Sequence, residues 1–72
     1  SKLSQRGKRY IGRTVTVAEV ITNGIGKVQI EDTLWRARGV DTAVGEQVKI
    51  VAIEGATFEV ESLAAESSES AQ

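Results

Sequence analysis

Glycines at 12, 24, 39, 45 and 55 cut the centre of this chain into short pieces. Glycine frees φ at each break, and isolated helices shorter than ~12–15 residues are marginal in water. The pieces themselves alternate in polarity. Thr14-Val15-Thr16-Val17 sets β-branched residues in polar–apolar order, which suits a half-buried strand. Residues 18–22 continue that strand but break the alternation, so a bulge near Ala18 is expected to restore the face. Asn23-Gly24 is a turn dipeptide because both residues tolerate positive φ. Between Gly26 and Glu31, Val28 and Ile30 share one face while Lys27, Gln29 and Glu31 share the other. A short turn is predicted at Asp32-Thr33.

Leu34 to Arg38 predicts a third strand. Its period of two puts Trp35 and Ala37 inward and Leu34, Arg36 and Arg38 outward. Residues 39–45 read as a loop that could hold a single helical turn and whose Val40 and Val44 could plug into the core. Residues 48–53 are the most apolar stretch and predict a strand buried on both faces or bulged near Ile50-Val51. A turn at Glu54-Gly55-Ala56 leads to the clean alternation Thr57-Phe58-Glu59-Val60-Glu61. Five short strands with no long helix give an all-β fold, a small barrel or sandwich. A closed barrel removes sheet edges, which matters in a 72-residue chain that buries only about 60% of its unfolded surface. The predicted core is Val15, Val17, Val20, Val28, Ile30, Trp35, Ala37, Val48, Val51, Ile53, Phe58 and Val60.

The net charge of −1 hides a strong asymmetry. Residues 1–13 carry Lys2, Arg6, Lys8, Arg9 and Arg13 and no acid, whereas residues 59–72 carry Glu59, Glu61, Glu66 and Glu69 and no base. Residues 1–10 are read as a flexible basic lead-in and 63–72, rich in Ser, Glu and Ala, as a disordered acidic tail. No apolar run here approaches the ~18–20 residues that cross a bilayer.

The residue inventory narrows the chemistry. With no His and no Cys, neither a Ser–His or Cys–His nucleophile nor a His- or Cys-ligated zinc site can be built, while carboxylate pairs and lysines remain. Gly24-Ile25-Gly26 begins like a phosphate loop, but the third glycine position is Gln29 and a strand follows in place of a helix. Glu31 and Asp32 are adjacent, so on a strand their carboxylates face opposite ways. No catalytic residue, cofactor site or metal site is predicted. The basic set Lys27, Arg36 and Arg38 beside Trp35 raises single-stranded nucleic-acid binding as an alternative. Against it stand the acidic balance of the central residues, the predicted inward position of Trp35, and the placement of Tyr10 outside the barrel.

The series Ile11-Gly12-Arg13, Asn23 to Val28, Leu34-Trp35-Arg36-Ala37, Val44 to Gly55 and Phe58-Glu59-Val60 resembles the C-terminal soluble domain of NfeD-like membrane proteins over residues 11–60. Phe58 stands where that family usually has Leu, and the loop at Gly39-Val40-Asp41 differs from many relatives. The resemblance implies an OB-type five-stranded barrel over residues 11–62, tethered behind transmembrane helices that precede this stretch. It also implies a non-catalytic interaction domain working with stomatin/flotillin-type (SPFH) membrane proteins in membrane organisation or membrane-protein quality control. Longer relatives carry a serine-protease domain upstream, and nothing in this chain matches it. The expected interaction surface is Leu34, Arg36, Arg38 and Lys27. A basic segment just after a membrane helix favours the cytoplasmic side, and no cofactor and no nucleic acid are expected as partners.

Overall fold

The computed structural model describes residues 6–63, so the start of the basic lead-in (1–5) and most of the acidic tail (64–72) lie outside the described residues. The described residues form five strands: β1 Thr14–Thr22, β2 Ile25–Ile30, β3 Thr33–Arg38, β4 Gln47–Glu54 and β5 Thr57–Ser62. They close into a barrel in the order β1-β2-β3-β5-β4. All neighbours are antiparallel except β3 and β5, which pair in parallel through Arg36↔Thr57, Ala37↔Phe58 and Arg38↔Glu59. Two tight hairpins set the first three strands. Asn23 and Gly24 adopt φ of 55° and 88°, the positive values that match a two-residue turn to strand twist. The second turn is Glu31-Asp32, one residue earlier than predicted, with Glu31 at φ 55°.

The buried core is Val15, Val17, Ile21, Val28, Ile30, Ala37, Val48, Ile50, Phe58 and Val60. Two predicted members are displaced. Val20 is 50% exposed and Ile21 is fully buried in its stead. One bulge near Ala18 would turn the even-numbered residues inward. The register shifts twice, between Val17 and Glu19 and again between Glu19 and Thr22. Two shifts restore the parity of Val15 and Val17, so Ile21 faces the core. Its main chain is locked by reciprocal bonds: the Ile21 N–H donates to the Thr42 carbonyl, and the Thr42 N–H donates back, each at 3.0 Å. β1 passes so close to β2 here that a Cβ on Gly26 would lie 2.6 Å from the Ile21 Cα.

Likewise Val51 is 37% exposed while Ile50 is fully buried. Pairing runs Ile50↔Val60, then Ala52↔Glu59. Val51 is therefore the extra residue of the predicted bulge, pushed outward as such residues are. Val40 and Val44 are exposed and do not plug the core. Trp35 and Ile53 are half-buried and pack against it.

These parities predict unequal costs of truncation in β4. Ile50→Ala is expected to cost about 2–4 kcal/mol, by lost burial and a residual cavity. Val51→Ala is expected to cost below about 1 kcal/mol. Urea titration of both variants checks the assignment, and equal losses would contradict it.

Candidate functional site

One end of the barrel is closed by the chain just before β1. Residues 6–8 form a single helical turn, held as the Tyr10 N–H donates to the Gly7 carbonyl at 2.9 Å. Gly7 is buried, and a side chain there would collide with Ile53 and press on Phe58. The turn is tied to β4 because the Gly12 N–H donates to Ile50 O at 2.7 Å and the Ile50 N–H donates to Arg13 O at 2.9 Å. Tyr10 therefore does not lie outside the barrel. Its ring meets Trp35 and Phe58 edge-on, with centroids 6.2 Å and 6.1 Å away, and Trp35 lies 4.8 Å from Phe58. All three aromatic residues of the chain form this one plug, in the offset and edge-on arrangements that ring quadrupoles favour. The Arg13 guanidinium stacks 5.4 Å from the Tyr10 centroid, a cation–π contact at the surface. Sequence periodicity missed Tyr10 because a single turn of helix carries no repeat.

The four predicted surface residues lie on the outer face of the β2–β3 hairpin and all are exposed. They do not act as one group. The Arg38 guanidinium donates to Glu54 Oε1 at 2.6 Å and to Glu59 Oε2 at 2.8 Å. Hydrogen bonding to Glu54, then to Glu59, raises its pKa above the ordinary arginine value. Its charge is thus answered from within the fold. Lys27 reaches Glu19 only at 3.9 Å. Arg36 has no ion pair among the described residues.

Lys27 and Arg36 are direct cross-strand partners. Like charges placed opposite each other in a sheet are destabilising. They line an open groove together with Leu34, the half-buried Trp35 and Arg6. Its floor continues through Thr33, Ala56 and Thr57, and among the described residues no acidic one lines it. Three of the four predicted residues, Leu34, Arg36 and Lys27, thus converge on the groove, while Arg38 does not. Arg6 joins it from the lead-in, which the strand pattern gave no means to foresee. Among the described residues, no group of three or more Asp or Glu side chains converges to hold a metal ion.

The family model for the NfeD-like C-terminal, partner-binding domain matches residues 7–61, nearly the whole described chain. The chain belongs to the NfeD family. Its sequence is 34% identical over 61 residues to the inner membrane protein YbbJ of Escherichia coli, covering 83% of this chain. The chain spans only 40% of that relative. Its fold is similar to the C-terminal domain of a stomatin operon partner protein from Pyrococcus horikoshii. That match has a TM-score of 0.67 and 32% identity, over 74% of this chain and 86% of the other. A third likeness is to the soluble domain of a Corynebacterium glutamicum membrane protein implicated in regulation of membrane protease activity. It has a TM-score of 0.69 and 27% identity, over 76% and 94% of the two chains. Within the NfeD family this chain is the partner-binding barrel, and its match begins at Gly7, where the helical turn packs onto the core.

The aromatic plug generates a direct test. Tyr10→Ala is expected to lose about 2 kcal/mol, since it removes two ring contacts from a half-buried site. The same change should move Trp35 emission to longer wavelength as water reaches the indole. An unchanged spectrum would show that Tyr10 does not shield it.

Proposed function

We propose that this NfeD-family barrel is a non-catalytic docking domain, held at the cytoplasmic face of a membrane by helices of the full-length protein. It engages a stomatin/flotillin-type SPFH membrane protein in membrane organisation or membrane-protein quality control. The docking face is the outer surface of the β2–β3 hairpin around Leu34, Arg36 and Lys27, with Arg38 fixing its border. The observation that carries this reading is the Lys27↔Arg36 pair, two cations set against each other whose one ion-paired carboxylate among the described residues is Glu19, 3.9 Å from Lys27. Such an arrangement opposes folding and favours an anionic partner, which relieves the repulsion on binding. Leu34, 48% exposed beside it, supplies the apolar centre that a charged rim alone lacks. The Pyrococcus relative is a stomatin operon partner protein, and the Escherichia and Corynebacterium relatives are membrane proteins. Both facts support the choice of partner class.

The test is co-purification of the full-length, membrane-embedded protein with its SPFH partner. Arg36→Glu and Leu34→Ala should each reduce capture about tenfold or more, the effect of losing ~1.4 kcal/mol of binding. Lys49→Ala, on another strand, should leave it unchanged. Failure of the unaltered protein to capture any SPFH protein would overturn the reading.

A further inference from the structure

The β3–β5 ladder begins at Arg36↔Thr57, whereas β3 itself begins at Thr33. Among the described residues, 33–35 therefore have β2 on one side and no strand on the other. Which main-chain groups face that open side follows from the hairpin. Ile30 and Thr33 flank a two-residue turn, so they form the hydrogen-bonded pair, and pairing alternates from there. Gln29↔Leu34 is then a non-hydrogen-bonded pair. The N–H and C=O of Leu34 point away from β2, toward the side where β5 has not yet begun. No turn or loop bond takes them up among the described residues.

This free edge lies in the groove lined by Arg6, Lys27 and Arg36. Cations beside an exposed edge keep a second copy of the same edge from pairing with it. The same charges select a strand of opposite sign. A strand laid beside residues 33–35 would place its outward side chains near Arg36 and Lys27 and its inward one against Trp35.

We propose that the open N-terminal half of β3 takes up an extended acidic segment of a protein partner by strand addition. Leu34 supplies the main-chain donor and acceptor, and Arg36, Lys27 and Arg6 receive the carboxylates. The inference rests on the docking reading above and names the chemistry that the partner presents. Alternation of Glu with an apolar residue is the pattern that fits, because successive side chains of an added strand face the cations and the indole in turn.

The test is nuclear magnetic resonance on the isotopically labelled 72-residue chain with a short synthetic peptide alternating Glu and Val. The peptide should shift the Leu34 and Trp35 amides and slow hydrogen exchange at the Leu34 N–H about tenfold at saturation. Rising salt should weaken it severalfold. Arg36→Ala should weaken binding about three- to tenfold, and Leu34→Pro, which deletes the donor, should abolish the exchange effect. Should the proline variant fail to fold, Arg36→Ala alone decides. Equal binding of a Lys/Val peptide would overturn the proposal. So would stronger binding of oligothymidylate, or protection of Leu34 in the free chain that vanishes on deleting residues 64–72. Capture of the SPFH protein undiminished in Arg36→Ala, with peptide binding lost, would overturn the strand-addition proposal and the place of Arg36 in the docking face, and leave the SPFH partner class standing. Peptide binding without SPFH capture would do the reverse.

Discussion

Three residue pairs in parallel register join β3 to β5 and turn a meander into a barrel. The middle pair sets Ala37 against Phe58, both fully buried. A small residue opposite the largest one lets the two strands approach while the ring fills the centre, the large-against-small packing that a thin core needs. On the ring side, Phe58 also receives Trp35 and Tyr10. On the outer side, the next pair, Arg38↔Glu59, carries the ion cluster with Glu54. Closure, the aromatic plug and the outer charge pattern thus meet on one short ladder.

The shortness of that ladder has a functional consequence. A longer β3–β5 pairing would bury the start of β3 and leave the β2–β3 hairpin a sealed wall. As built, the seam is sealed where Arg38 meets two carboxylates and open where Arg36 meets none among the described residues. Two arginines two residues apart on one strand face have therefore diverged in role. One is satisfied internally and fixes the closed half. The other is opposed by Lys27 and has no ion pair among the described residues.

Strand existence was legible in the sequence because the alternation and the turn residues agree with the closed sheet, the consistency expected of a foldable chain. Side-chain facing was legible only between irregularities. Val15, Val17, Val28, Ile30, Ala37, Phe58 and Val60 sit in regular stretches and are buried as expected. Val20 and Val51 sit beside bulges, where one more residue reverses inside and outside. The sequence shows that alternation fails after Ala18 but not how many times the register slips. That number is fixed by β2 and by Thr42, whose bonds hold Ile21. Tyr10 was lost for another reason: its burial comes from a one-turn helix anchored by Gly7 on Ile53 and Phe58, a tertiary contact with no local periodicity.

The candidate surface was half legible for the same reason. Period two alone puts Leu34, Arg36 and Arg38 on one face, and it treats the two arginines as equals. Only the fold reveals that Glu54, sixteen residues beyond Arg38, answers one of them. It also brings Arg6 across from the lead-in to the groove of Lys27 and Arg36. Net charge fails as a guide here because it sums groups that never meet. A chain of net −1 presents a groove that no acidic residue lines among the described residues, and a charged ligand responds to the field of that groove and not to the total. Screening confines that field to charges within ~8 Å at physiological salt, and among the described residues Glu19 is the acid that pairs with a groove cation, 3.9 Å from Lys27.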